Sequence, residues 1–273
     1  MTQQPLPPML KLLFSLRNLA SSSKVAITFR TDILEDAATK LQAWRDCYPD
    51  SIDPNSLYRQ ILDARSSSMS NVGGNGLVGN RTLQLIWVAL VCRFGMEKQV
   101  NHTFPAKLQA KLAHPAIKAI LQKIRNLSLD SVKLADIKDD TSVLYNTLSA
   151  KGPQGLSYVG DHFCVGATKT MNFLFPELYV MLDKWVAKIV HLYPDHNNFE
   201  AYWLSLQRCQ DELRAWHKAH GSLGSLVALD SPPPSTAIRV FDKCATVMKN
   251  PKPNRFYQSK LRLTLSNDGL GNQ

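Results

Sequence analysis

The sequence predicts an all-α fold, a compact helical bundle with at most a few short strands. The first observation is that apolar residues recur every three to four positions in several segments, which places them on one face of a helix. The second is that aspartate, serine, threonine or proline, residues that begin helices, precede these segments. The third is that only residues 25–29 and 261–265 have the character of strands.

The N-terminal half contains the first helix patterns. Asp32 is suited to cap a helix whose apolar face comprises Ile33, Leu34, Ala37, Ala38, Leu41 and Trp44. Pro54 is suited to begin a second helix, with Leu57, Ile61 and Leu62 pointing inward. Residues 81–94 are apolar almost all round and predict a buried helix.

Residues 66–80 break this pattern, because they contain four serines and four glycines. So much glycine disfavours both helix and strand, and a flexible loop is expected. No Gly-Lys-Ser/Thr follows the glycines, so this is not the phosphate-binding loop of nucleotide hydrolases. If the loop binds an anion, Arg65 and Arg81 at its two ends are the expected contacts.

Further helices are predicted along the rest of the chain. Pro105 and Pro115 each start an amphipathic helix. The second of these should bury Ile117, Ile120, Leu121 and Ile124. Helices are also expected at residues 142–148 and within residues 195–220. The last helix should open at Ser235 or Thr236, after a stiff run of prolines.

These patterns suggest a simple domain organisation. Residues 1–8 are expected to be disordered, because they are rich in proline and glutamine. A helical core should cover residues 9–249, either as one body or as two lobes that meet near residues 150–157. Residues 250–273 form a basic tail, in which Arg255 and Lys260 accompany aromatic residues. This composition suits a nucleic-acid backbone with stacked bases, and it equally suits a solvated tail.

The charge balance points to an anionic partner. Lysine and arginine number 32 against 22 acidic residues, which gives a formal net charge of +10. A surplus of this size attracts polyanions and raises their encounter rate, so nucleic acid, and DNA first, is the expected partner. A protein partner is compatible with the same charge. No apolar run reaches the roughly 18 residues that cross a bilayer, so no membrane association is expected.

Cysteine and histidine do not suggest a metal site or a disulfide framework. The five cysteines are odd in number, widely spaced and without a CxxC pair. They predict reduced, buried thiols in a cytoplasmic protein, or in the nucleoid or nucleus if the protein is bound to DNA. His217 and His220 lie three positions apart, but no third ligand has suitable spacing, so no metal is expected. Serine hydrolase and kinase motifs are absent, and no cofactor is expected.

Residues 158–190 form the segment most informative about function. A turn with Gly160 and Gly166 is predicted to precede a helical stretch at residues 167–173, which Pro176 should end. A second apolar group then leads into Asp183, and a further helix is expected after it.

This segment resembles the helix-hairpin-helix base-excision DNA glycosylases. Their signature is a hairpin Gly-hydrophobic-Gly-x-Lys followed by small residues, an apolar helix, and then hydrophobic-Asp-x-x-Val-x-Arg/Lys. The chain has Val-Gly-Ala-Thr-Lys-Thr at residues 165–170 and Leu-Asp-Lys-Trp-Val-Ala-Lys at residues 182–188. Cys164 stands in place of the first hairpin glycine, and the interval from Lys169 to Asp183 is several residues shorter than in that family.

The resemblance implies a role for each matching residue. Lys169 would attack the sugar carbon as a nucleophile and form a Schiff base. Asp183 would stabilise the positive charge that develops as the glycosidic bond breaks. The nucleic-acid backbone would be held by residues in and near the hairpin, namely Gly160, Gly166, Ala167, Thr168 and Lys184. The target base would leave the stack and enter a pocket.

Three functional classes fit these residues. The first is a base-excision glycosylase or lyase with Asp183 and Lys169 in one pocket. The second is a non-catalytic helical module that binds nucleic acid or a protein within a larger assembly, in which Asp183 only caps the following helix. The third is a helical protein without a nucleic-acid role. The aromatic residues of the segment either stack on a flipped base or belong to the core: Phe173, Phe175, Tyr179 and Trp185.

Overall fold

The computed structural model describes residues 33–47, 55–71, 78–160, 162–190, 197–230 and 235–249. Within these ranges the chain forms eleven α-helices and no strand, which confirms the all-α prediction. In chain order the helices are α1 (Ala37–Cys47), α2 (Asn55–Asn71), α3 (Asn80–Val88), α4 (Phe104–Ala113), α5 (Pro115–Ile124), α6 (Lys138–Ser149), α7 (Cys164–Leu174), α8 (Lys184–Ile189), α9 (Phe199–His220), α10 (Leu223–Ala228) and α11 (Ala237–Lys249). A π-helical turn, Ala89–Arg93, continues α3, and a 3-10 turn, Leu134–Ile137, leads into α6.

Local sequence signals explain where several helices begin and end. Pro105 and Pro115 lie in the first turns of α4 and α5, as predicted. Proline lacks an amide hydrogen, but in the first turn of a helix that hydrogen has no helical partner, so no bond is lost. The side chain of Thr236 caps α11 by accepting a hydrogen bond from the N–H of Arg239 at 3.2 Å. Gly221 ends α9 with a φ of 74°, in the left-handed region that favours glycine.

The predicted apolar faces of α1 and α5 lie in the core with one exception. The buried residues are Ile33, Leu34, Ala37, Leu41 and Trp44 near α1, and Ile117, Ile120, Leu121 and Ile124 on α5. Ala38 is exposed instead, because α1 begins only at Ala37 and turns that position outward. Ile33 and Leu34 enter the core from a turn, and the carboxylate of Glu212 accepts hydrogen bonds from their backbone N–H groups at 3.0 and 3.1 Å.

Helix α2 is longer than the sequence predicts. It runs through Asn71, so residues 66–71 are helical and do not belong to a loop. The glycines begin only at Gly73, so nothing in residues 66–71 has the conformational freedom that ends helices. Of the predicted inward residues of α2, Ile61 is buried, whereas Leu57 and Leu62 are half-buried. Residues 72–77, which hold most of the glycine run, lie outside the described residues.

The predicted helix-hairpin-helix element is not confirmed. Helix α7 begins at Cys164, so Gly166 lies inside the helix and not in the turn before it. The connection from α6 to α7 covers residues 150–163, which is longer than the two to five residues, roughly, of a helical hairpin. Pro176 follows the end of α7 at Leu174, as predicted.

Helix α11 lies at the centre of the fold, packed against α1, α8, α9 and α10. It is buried almost all round, and Arg239, Asp242 and Lys243 are among its buried residues. An isolated buried charge strongly disfavours folding, so such groups are normally paired. Arg239 forms an ion pair with Asp242, and Lys243 forms one with Asp230.

The described helices share one main hydrophobic core. All of the described residues belong to one compact unit. The predicted disordered start, both strand-like segments and the basic tail with Arg255 and Lys260 lie outside the described residues. None of the helices in the described ranges is long and apolar enough to span a membrane.

Candidate active site

The segment after α7 runs back along this helix and places Asp183 beside it. The side-chain amide of Asn172 donates a hydrogen bond to the carbonyl oxygen of Tyr179 at 2.6 Å. The hydroxyl of Thr168, one turn earlier on α7, accepts a hydrogen bond from the N–H of Leu182 at 3.1 Å. Because positions 168 and 172 share a helix face, the two bonds hold the returning segment antiparallel to α7.

Lys169 and Asp183, the two residues that the resemblance selects, form an ion pair. The Lys169 Nζ atom lies 3.7 Å from the Asp183 Oδ2 atom. Only 5% of the Lys169 side chain is exposed, against 26% of the Asp183 side chain. The Lys169 side chain therefore lies inside the protein, whereas part of the Asp183 side chain reaches solvent. The short interval between the two residues does not separate them, because the returning segment is held against α7.

Asp183 also caps helix α8. Its Oδ1 atom accepts a hydrogen bond from the N–H of Val186 at 3.2 Å, which confirms the capping predicted for this residue. The two carboxylate oxygens thus have different partners, since Oδ2 faces Lys169. This division holds the carboxylate in one orientation.

An aromatic ring from the π-helical turn covers the Lys169 ammonium. Phe94 follows the turn Ala89–Arg93, and its N–H donates to the carbonyl oxygen of Ala89 at 3.2 Å, the spacing of a π-helix. The Lys169 Nζ atom lies 3.7 Å from the centroid of the Phe94 ring, within range of a cation–π attraction. Single π-helical turns are rare and are frequent at functional sites.

A second ion pair lies next to the first. Arg239 Nη1 and Asp242 Oδ2 are bonded across one turn of α11, and both residues are buried. Burial is the largest influence on Asp242 and raises the pKa of its carboxyl, while the charge of Arg239 opposes this. The negative charge of Asp183 raises the pKa of Asp242 further, and the charge of Lys169 lowers it. The four residues interact, and we call Lys169, Asp183, Arg239 and Asp242 the charged cluster.

A small enclosed cavity adjoins the charged cluster. Its lining consists of Leu57, Tyr58, Ala89, Phe94, Phe173, Met181 and Arg239. Its volume of about 10 Å³ is enough for about one water molecule. A nucleobase does not fit in this space. Asp183 is the most exposed member of the cluster, so a substrate would have to approach from its side.

The charged cluster combines groups that chemistry at a sugar carbon requires. An amine can act as a nucleophile once it has lost a proton, and a neighbouring carboxylate can stabilise a developing cation. The surrounding aromatic rings lower the local dielectric, which strengthens both electrostatic effects. Among the described residues, no group of three histidine, cysteine, aspartate or glutamate side chains could hold a metal ion.

The predicted phosphate-binding residues of the hairpin have different surroundings. Ala167 and Thr168 are buried within α7, and the Thr168 hydroxyl is engaged with Leu182. Gly160 lies in the connection before α7 with a φ of 76°, and Lys184 is exposed at the start of α8. Of these side chains, only that of Lys184 is exposed to a ligand.

The two arginines predicted at the ends of the glycine run also differ. Arg65 is half-buried on α2, and its guanidinium lies 6.0 Å from the centroid of the Phe175 ring. Burial lowers the pKa of Arg65, and the charge of Glu177 opposes this. Arg81 is exposed in the first turn of α3. Arg81 is therefore the more accessible of the two to an anion.

Gly166 is packed too closely for any side chain. A Cβ atom at this position would overlap the ring of Phe163, which is itself buried. Gly166→Ala is therefore expected to lower the free energy of unfolding by about 1–3 kcal/mol, although alanine favours helices over glycine. Urea denaturation of the two proteins measures the difference.

A double-mutant cycle identifies the cause of this effect. If the overlap with Phe163 is responsible, Gly166→Ala should destabilise the Phe163→Leu variant less than it destabilises the parent. Equal destabilisation in both backgrounds would show that the ring does not restrict this position.

Most of the aromatic and thiol groups of interest lie in the core. Phe173, Phe175 and Tyr179 are buried, which favours a packing role, and the Trp185 side chain lies outside the described residues. Three of the thiols that were predicted to be buried are buried, namely those of Cys164, Cys209 and Cys244. Cys92 is exposed, because it lies on the solvent side of the π-helical turn.

Arg239 and Asp242 were not identified as site residues from the sequence. The sequence does contain a pattern that marks them, since a basic and an acidic residue three positions apart interrupt an apolar helix pattern. The same pattern also occurs on exposed helix faces, so it does not distinguish a buried pair from a solvated one. Phe94 gave no signal, because the π-helical turn that directs its ring has no sequence pattern of its own.

Comparison of the chain with known protein families, with curated proteins and with solved structures found no match.

Proposed function

We propose that the chain is a nucleic-acid-binding protein of base-excision type, in which Lys169 and Asp183 act on the sugar of a damaged nucleotide. The observation that carries this proposal is the 3.7 Å contact between Lys169 Nζ and Asp183 Oδ2. The resemblance assigns the nucleophile and the stabilising carboxylate to these two residues, and the fold brings them together. The net charge of +10 suits a polyanionic substrate.

The burial of the charged cluster supports a chemical role. Apolar side chains of similar size would often stabilise a core as well as a buried ion pair does. Groups held in a buried, charged environment beside a surface opening are typical of catalytic sites. Lys169, Arg239 and Asp242 are almost fully buried, and 26% of the Asp183 side chain is exposed.

The proposed reaction can be written on these residues. The base leaves C1′ with the electron pair of the glycosidic bond and takes up a proton from the Lys169 ammonium. Asp183 stabilises the positive charge on the sugar while this bond breaks. The neutral Lys169 amine then bonds to C1′, and transfer of an amine proton to the ring oxygen opens the sugar and leaves an imine.

A trapping experiment tests the proposal. The wild-type protein should release base from at least one duplex in a panel that carries single damaged bases, and borohydride should trap its imine as a covalent adduct. Lys169→Gln is expected to give no adduct, because an amide forms no imine. Lys169→Arg should behave in the same way while it keeps the positive charge beside Asp183.

The matched control is Lys218→Gln, since Lys218 is exposed on α9. This variant should keep the full yield of adduct. Adduct formation by Lys169→Gln would show that another amine is the nucleophile. A wild-type protein that releases no base from any duplex would overturn the enzymatic proposal.

A second candidate function is a non-catalytic nucleic-acid-binding module. It is favoured by the cap that Asp183 provides to α8 and by the burial of Lys169, because both are roles in stability alone. Under this candidate the wild type binds nucleic acid, with an affinity that falls steeply as salt rises. It releases no base and forms no adduct.

A further inference from the structure

The connection between α6 and α7 is a closed and anchored loop. The N–H of Gly152 donates to the carbonyl oxygen of Gly160 at 3.3 Å, which joins the two ends of its tip. The N–H of Tyr158 donates to the carbonyl oxygen of Gln99 at 2.9 Å, and this bond ties the loop to the segment before α4. We call residues 150–160 the anchored loop.

The anchored loop presents two large apolar side chains to solvent. Tyr158 is 48% exposed and Val159 is 46% exposed. In the described part of the chain, Val143 on α6 is the other large apolar residue with such exposure, at 46%. Leu156 and Ser157, directly before Tyr158, are buried, so the loop is packed on one side and displays an aromatic ring on the other.

Basic residues outnumber acidic ones in the two segments that the backbone bond of Tyr158 joins. The described segments that meet here, residues 97–111 and 150–160, contain four lysines, Lys98, Lys107, Lys111 and Lys151, against one carboxylate, Glu97. Lys107 Nζ donates to the carbonyl oxygen of Gly155 at 3.2 Å, which places its charge against the loop. The pKa of Lys111 is lowered, first by burial and then by the charge of Lys107. These like charges lie close together, so an anion nearby would stabilise both.

We propose that the anchored loop is a nucleic-acid contact, in which the Tyr158 ring stacks on an unpaired base while Lys98, Lys107 and Lys151 contact phosphates. This inference rests on the proposed function, which supplies the nucleic-acid partner. Aromatic rings on a positively charged surface suit this partner, because every base has a face to stack on and every nucleotide carries a phosphate. A purely apolar partner would not explain the lysines.

A fluorescence experiment on the full chain tests the contact. The probe is a short single-stranded oligonucleotide with a terminal fluorescein for anisotropy, and a second version carries 2-aminopurine as a reporter of stacking. Tyr158→Ala is expected to weaken binding about tenfold and to lose the quenching of 2-aminopurine. Tyr158→Phe keeps the ring and should keep both the affinity and the quenching of 2-aminopurine.

Control variants separate stacking from general loss of structure. Val143→Ala removes an equally exposed apolar group elsewhere and should bind like the parent. Lys107→Gln should reduce the dependence of affinity on salt without loss of quenching. The Tyr158 hydroxyl donates an exposed hydrogen bond to the carbonyl oxygen of Glu97 at 3.4 Å, and both Tyr158→Ala and Tyr158→Phe remove it. The unfolding temperature of Tyr158→Ala should therefore match that of Tyr158→Phe and lie close to that of the parent, because the backbone bond to Gln99 persists in both variants.

The outcomes distinguish this inference from the proposed function. If the wild type binds the oligonucleotide and Tyr158→Ala binds equally well, the anchored loop is not the contact, while the proposed function stands. If the wild type binds no nucleic acid even at low salt, the proposed function fails and the inference fails with it. If Tyr158→Phe loses binding together with Tyr158→Ala, the ring by itself does not make the contact and the stacking inference is overturned.

Discussion

Asp183→Asn is expected to lower the rate of base release by about 10²–10³-fold while it leaves nucleic-acid affinity almost unchanged. The amide oxygen of asparagine can still accept the hydrogen bond from the N–H of Val186, so the cap of α8 persists. The negative charge that faces Lys169 at 3.7 Å is lost, and with it the stabilisation of the cationic sugar. Loss of one preorganised electrostatic contact typically lowers kcat by about 10²–10³-fold. Single-turnover measurement of base release gives this ratio directly.

The stability of the same variant must be measured with its activity. Removal of the Asp183 charge takes away a carboxylate that lies 3.7 Å from the Lys169 ammonium, which remains beside the Phe94 ring. A destabilisation of about 1–3 kcal/mol is expected, between the values for exposed and fully buried pairs. Asp139→Asn is the control, because Asp139 is an exposed carboxylate on α6. Unchanged base release in Asp183→Asn would show that this residue is only a cap.

Asp230→Asn is expected to lower the free energy of unfolding by about 3–5 kcal/mol, because a buried ammonium loses the carboxylate that contacts it through both oxygens. Lys243 is fully buried, and its Nζ atom lies 3.0 and 2.8 Å from the two carboxylate oxygens of Asp230. The Trp44 ring, whose centroid lies 5.9 Å from the same Nζ atom, offers only a weaker attraction. Urea denaturation measures the change, with the dependence of the unfolding free energy on urea concentration fitted separately for each protein.

An exposed ion pair provides the matched control for this effect. The Lys123 Nζ atom lies 2.6 Å from the Asp140 Oδ2 atom, but 57% of the Lys123 side chain is exposed. Asp140→Asn should therefore change stability far less than Asp230→Asn, since water replaces the lost partner. The double variant Asp230→Leu, Lys243→Met should recover most of the lost stability, because neither charge of this pair remains to be buried. Equal effects of Asp230→Asn and Asp140→Asn would show that water reaches Lys243.

The positions of the helices were largely predictable because helix formation depends on near neighbours. Pro115 and the spacing from Ile117 to Ile124 identify α5 and its buried face without any other part of the chain. Thr236 identifies the start of α11 in the same way, since its side chain bonds an N–H three residues later. The prediction failed at residues 66–71, where serines weaken a helix but do not end it.

The candidate site was predictable in its chemical groups but not in its geometry. The segment around Lys169 and Asp183 indicates an amine and a carboxylate for one reaction. Their distance depends on how the chain returns after α7, and this return is held by Thr168 and Asn172. No spacing rule relates a helix to an irregular segment, so the 3.7 Å contact could not be derived from the sequence.

The sequence by itself determined the helical class, the approximate positions of most helices and the excess of positive charge, because each follows from composition or from contacts within a few residues. The tertiary structure decided which charges are buried and which aromatic rings are exposed. Arg239 and Lys243 carry charges like those of surface residues but lie within the core, whereas Tyr158 lies at the surface. Burial depends on which distant helices pack against a residue, and this packing arises from the whole chain at once.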